Sequence, residues 1–181
     1  MANPEADAFS MPPLSPELLE RPLDYLVADH DRHRALCVHL RRVAQQEEID
    51  GASARDISRF LKEDLKRHFE DERLSLYPAL RSRSADDPEF LQSLQEIEAF
   101  HARTAPFVDD LIAQFDRLAG KNRIRLPHEL SERLAEYAER EHQSLAFENG
   151  VIMVIAGVRL KKSDIEKLRN AMKTRRGLAP P

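Results

Sequence analysis

The chain is 181 residues long, with a third of them charged, a net charge of −4 and a single cysteine. That length supports one packed domain with a sizeable core, and the balanced charge argues against both disorder and a nucleic-acid partner. Cys37 alone rules out an internal disulfide. The longest apolar run, Val151 to Gly157, falls well short of the roughly 20 residues of a membrane span. No basic stretch leads into an apolar one at the N-terminus, so no secretory signal is expected and cytoplasm is the default location.

Five glycines and no convincing alternating pattern point to an all-α fold. Residues 1–14 are proline-rich and aperiodic and read as a flexible or docking arm; residues 15–181 read as the folded part. Ser15-Pro16-Glu17 is a helix start. Pro22 interrupts it, and a longer helix is expected from about Leu23 to Ala44, with Leu23, Leu26, Val27, His30, Arg34, Cys37 and Leu40 on its core stripe. Ser53 and Asp56 look like the cap of a second helix, whose inward face carries Ile57, Phe60, Leu61, Leu65, His68, Glu72 and Leu76. Pro78 should bend or end it near Leu80.

Asp87-Pro88-Glu89 opens a third helix, with Leu94, Ile97, Glu98, His101, Ala105, Val108, Leu111 and Phe115 along one face and a kink expected at Pro106. Residues 120–126 read as a polar connector. Pro127 starts a fourth helix, with Leu130, Leu134, Tyr137, Glu141, Ser144 and Glu148 in one stripe. Ser163 and Glu166 resemble a capping box for a short fifth helix reaching about Thr174, whose basic end suits a solvated helix C-terminus. Four long helices joined by short loops predict an antiparallel four-helix bundle with a short N-terminal arm and a short C-terminal fifth helix.

The chemistry is concentrated in the bundle interior. His68 and Glu72 are four residues apart, so they share one face of the second helix, within an apolar stripe. Groups of this kind cannot be buried unpaired; a hydrogen-bonded His–Glu pair or a bound cation would satisfy them. His30 and His101 are inward histidines on two further helices, and Glu148 is an inward acid on the fourth. Side chains from facing helices converge in this way on metal sites in bundle cores, and imidazole with carboxylate suits iron, manganese or zinc. A ferritin-like alternative, Glu98 with His101 and Glu139 with His142, leaves His30 and His68 unexplained and puts Glu139 off the inward stripe. His33, His39, His128 and His142 read as flank or surface residues, Cys37 as a small buried hydrophobe, and Tyr77 and Tyr137 as closing the core.

The run from Asp29 and His30 to Arg34, then His68-x-x-x-Glu72 followed by Leu74, Leu76, Tyr77 and Pro78, then His101, and finally Phe147-Glu148-Asn149 before an apolar run, resembles the hemerythrin-like, HHE cation-binding family. The similarity covers residues 23 to about 157. It implies a four-helix bundle around a non-haem di-iron centre with five histidines and two bridging carboxylates, in proteins that bind dioxygen or sense oxygen, nitric oxide or iron. On that resemblance, His30 and His68 serve one metal, Glu72 and Glu148 bridge, and His101 is the first histidine of the other metal. The next two histidines of that second metal fall on Ala105 and on Ser144, or Gln143 in the longer spacing, and His142 is turned away from the face of Glu148.

The expectation is therefore one cation held by His30, His68, Glu72 and Glu148, with His101 near or ligating. Glu141 would be in reach of a second ion. The function expected is that of a sensor or storage bundle acting through a small diatomic ligand; the alternative is a metal-free interaction or structural module, docking through the N-terminal arm and the basic C-terminus. Outside the metal site no positioned acid–base or nucleophile set is visible, so an enzyme is the weaker expectation. No nucleic-acid or membrane partner is expected. A homo-oligomer is compatible with the sequence, which offers no exposed heptad seam to fix it.

Overall fold

The computed structural model describes residues 9–178 and is a helical bundle, as the sequence predicts. Most of the proline-rich arm lies outside the described residues. From Phe9 onward it docks on the bundle. The Phe9 amide donates to Ser53 Oγ at 3.1 Å, and its ring packs on His39 and Phe60.

A 3-10 turn, Pro16–Glu20, leads into α1, Pro22–Gln46, which ends with Glu47 in the left-handed region at φ 52°. The second helix, α2, runs without a break over residues 51–83. Its cap is Asp50 rather than Ser53: the Asp50 carboxylate accepts from the amides of Ala52 and Ser53 at 2.9 and 2.8 Å. Gly51 is required by close approach, since a Cβ there would lie 2.3 Å from the Lys121 carbonyl.

Pro78 neither ends nor breaks α2. The wide π-turn Glu72–Leu76 precedes it, closed by the Tyr77 amide donating to the Glu72 carbonyl. A π-turn relaxes the i−4 geometry that a proline ring would otherwise strike. The third helix, α3 (Pro88–Leu118), begins where expected, with the Asp87 carboxylate accepting from the Phe90 amide at 3.0 Å, and it continues through Pro106. The fourth, α4, covers residues 128–159 and contains a further π-turn, Glu148–Ile152. The fifth, α5 (Lys162–Arg175), is capped at Lys161, two residues before the expected Ser163, with the Lys161 amide donating to Asp164. Two-residue strands β1 (Glu48–Ile49) and β2 (Ile124–Arg125) pair antiparallel where the sequence shows only connectors.

The apolar core is in two parts. One holds Leu36, Leu40, Ile57, Phe60, Leu61, Phe115 and Leu134; the other holds Leu19, Leu26, Leu76, Tyr77, Leu80, Leu94, Ile152 and Leu168. Each long helix passes from one part to the other, and its inward polar residues sit at the crossing. Burying each large apolar side chain contributes about 1.5–3 kcal/mol, which offsets the cost of the polar layer between. The α3 crossing is the thin one, since no residue from 98 to 107 is buried. Among the described residues, no helix is long and apolar enough to cross a membrane.

The basic C-terminus is not a solvated end. Asp71 of α2 is wholly buried and pairs with Arg175 at 2.5 Å and Arg176 at 2.7 Å. Arg176 also lies 4.7 Å over the Tyr25 ring. These contacts fasten α5 across α1 and α2. Replacing Asp71 by Ala leaves two largely buried guanidinium groups without their carboxylate and is expected to cost about 3 kcal/mol. Denaturant unfolding, with hydrogen exchange over α5, will measure it.

Candidate metal centre

The polar layer is built from four helices. Ligand atoms of His30 on α1, His68 and Glu72 on α2, and Glu148 on α4 all lie within 4.8 Å of one another, and all four side chains are buried. The two imidazole Nε2 atoms are 3.1 Å apart. His30 Nε2 is 3.5 Å from Glu72 Oε1 and 3.4 Å from Glu148 Oε2, and His68 Nε2 is 3.4 Å from Glu72 Oε1. Most of these spans are long for hydrogen bonds. They suit ligands around one ion, because two bonds of about 2.1 Å at a tetrahedral angle reach about 3.4 Å. Neither oxygen of Glu72 has a hydrogen-bond partner among the described residues, so a divalent cation between two neutral imidazoles and two carboxylates satisfies what the protein itself leaves open.

The second oxygen of each glutamate points the other way. Glu148 Oε1 is 2.9 Å from His101 Nε2, and Glu72 Oε2 is 3.7 Å from His101 Nδ1. Both carboxylates thus span from the His30–His68 side to the His101 side. Each of the two glutamates is the first residue of a π-turn, a local widening often found at functional positions.

The family model of the hemerythrin HHE cation-binding domain matches residues 21–154. The chain belongs to the hemerythrin HHE cation-binding family. No curated protein and no solved structure matches it. Membership implies a transition metal, typically iron, and the four-residue donor set fits one.

All five residues singled out in the sequence reach the same interior region. Four form the tight cluster and His101 stands at its edge, the most exposed of them, stacked 4.3 Å from the Phe69 ring. At two positions where the resemblance predicts further histidines, the chain has Ala105, exposed, and Ser144, whose hydroxyl donates to Glu148 Oε1 at 3.2 Å. A cavity of about 290 Å3 opens between α2 and α3 beside His101, lined by Phe69, Arg73, Tyr77 and Ala105 among others.

The surroundings orient the ligands. His68 Nδ1–H donates to Asp29 Oδ2 at 3.2 Å, which leaves Nε2 free to face the cluster, and Arg32 donates to Asp29 Oδ1 at 2.7 Å. His30 Nδ1 lies 2.6 Å from the side-chain amide of Asn149. Burial works to raise the Asp29 pKa, but the hydrogen bond from His68 and the charges of His33, His68 and Arg32 overcome it and hold Asp29 well below the usual range. Burial likewise works against protonated His68, and Glu72 and Asp29 outweigh it, raising His68. His101 is opposed by burial and raised to about 9 by Glu148 and Glu72. Burial pushes Glu141 up to about 7 and His33 well down.

Sequence reasoning missed two members of this layer. Asp29 was visible only as part of a motif, and its role needs the contact with α2. His33, expected at the flank, is buried against the His68 ring at 4.5 Å between centroids. His39 is buried as well, whereas His128 is exposed as expected. Asp29→Asn keeps the shape but loses the charge that fixes His68. It should weaken metal affinity by about 10- to 100-fold with little change in helicity, measured by competition with a chromogenic chelator.

Proposed function

We propose that this bundle holds a transition-metal ion, iron before manganese or zinc, at His30, His68, Glu72 and Glu148 with His101 beside them. It acts as a sensor or storage protein for a small ligand such as oxygen or nitric oxide. The observation that carries the reading is the convergence of two imidazoles and two carboxylates, all buried, at separations suited to one ion. Bound there, the metal would supply an open coordination position for a diatomic molecule. The chain's own residues hold it and shape its surroundings. Asp29 and Arg32 set the His68 ring, and the buried Leu26, Leu65 and Leu76 stand about one turn from His30, His68 and Glu72 along their own helices. The cavity beside His101 leaves room for a small molecule at that edge of the layer.

A second reading, a metal-free interaction or structural module, is favoured by Ala105 and Ser144, which remove two donors from the family pattern. Elemental analysis of the purified chain beside a His68→Ala, Glu72→Ala double variant separates the two. The proposal expects at least one equivalent of transition metal in the wild type and none in the variant. A wild-type chain without metal after growth in iron-supplemented medium, with the same melting temperature before and after chelation, supports the module instead, because a bound ion stabilises the folded state.

The pH dependence follows from the same layer. In the metal-free chain His101 titrates at about 9, against about 6.5 when unfolded. Its contribution to stability is complete below about pH 6.5 and is lost as pH rises through about 9. Glu141, raised from 4.5 to about 7, adds to the loss: its cost accrues between those two pH values and is complete above about 7. Metal binding needs the histidines of the cluster deprotonated, so it strengthens in the same direction. Between about pH 6 and about pH 9.5 the melting temperature of the chelated protein should fall. The increment gained on adding metal should grow over the same range, as scanning calorimetry at each pH will record.

A further inference from the structure

We infer that the chain carries a second cation position, built from His33 of α1 and Glu141 of α4, beside the first. The inference rests on the metal-binding reading above and extends it to residues outside that ligand set.

His33 and Glu141 are both almost fully buried. Neither ring nitrogen of His33 has a hydrogen-bond partner among the described residues, and neither does Glu141 Oε2. They face one another across 4.0 Å, from His33 Nδ1 to Glu141 Oε1. That separation is too long for a hydrogen bond and matches two bonds of about 2.1 Å opening at a wide angle on one ion. Leaving an imidazole and a carboxylate buried and unsatisfied is costly, and a cation between them removes the cost from both at once.

The neighbouring groups do not satisfy them in another way. Asp29 lies 4.0 Å from His33 Nε2, on the ring's other side, and its two oxygens already accept from Arg32 and His68. Tyr137, one turn before Glu141, is buried, and its hydroxyl also lacks a hydrogen-bond partner among the described residues. Ser144 occupies the place of a family histidine with a short side chain turned to Glu148. A carboxylate arriving from Glu141, one turn earlier on α4, therefore meets no bulky side chain at 144. The position is poorer in imidazole than the first and richer in oxygen, which suits Fe(II) or Mn(II) over softer ions.

The test titrates the metal-free full-length chain with Mn(II), and with Fe(II) under anaerobic conditions, and counts equivalents retained after gel filtration. Calorimetry of the same titrations gives the affinities. The wild type should retain two equivalents, the second bound about tenfold or more weaker. Glu141→Gln, close to isosteric, should retain one, with the tighter site's affinity unchanged, and His33→Gln, which packs on the His68 ring, should also retain only one. Circular dichroism checks that both variants are folded. One equivalent in the wild type, or two in the folded variants, overturns the second position and leaves the first intact. No equivalents in the wild type overturns the metal-binding reading itself, and the second position with it.

Discussion

The polar layer is the constraint on which the rest of this fold depends. Two glutamates and two histidines, none exposed by more than 1%, meet where four helices cross from one apolar cluster to the other. Isolated charges cannot be held in such surroundings. The chain answers with a graded set of partners: Asp29 behind His68, Arg32 behind Asp29, Asn149 behind His30 and Ser144 behind Glu148. The inward-facing atoms of Glu72 stay uncommitted. The outer atoms are fixed and the inner ones left open, which is how a preorganised ligand shell differs from a merely satisfied polar core.

The backbone adjusts to the same end. Two of the four long helices widen by one residue per turn at the glutamates that face the centre. In α2 the widened turn also lets the helix run through Pro78, so one local change places Glu72 and keeps the helix whole. Neither π-turn leaves a clear trace in hydrophobic periodicity. Pro78 was therefore expected to bend or end the helix near Leu80, and the helix instead runs through it to Arg83. The cap at Asp50 is similar: its signal competes with the more familiar Ser53, and the close contact of Gly51 with Lys121 decides between them.

The helical bundle was legible in the sequence because the long helices alternate polar and apolar at the helical period. So were the five inward ligand candidates, since each falls on such a stripe. His33 and Asp29 escaped because a stripe argument assumes one buried face, whereas α1 is covered on most sides, by α4, α5 and the 3-10 turn. The role of Arg175 and Arg176 escaped for another reason. Their partner, Asp71, stands over a hundred residues earlier, and a basic cluster at a helix end carries no mark of so distant a carboxylate.

The thin stretch of α3 has a consequence of its own. Residues 98–107 bury nothing fully, and Pro106 removes one rung of the helix ladder beside them. This wall of the bundle buries the least of itself at the level of the polar layer, while α1 and α4 hold the opposite side closely. Breathing motions should concentrate there, in front of His101. Solutes can then exchange with the interior on the timescale of a local opening, without waiting for the whole bundle to come apart.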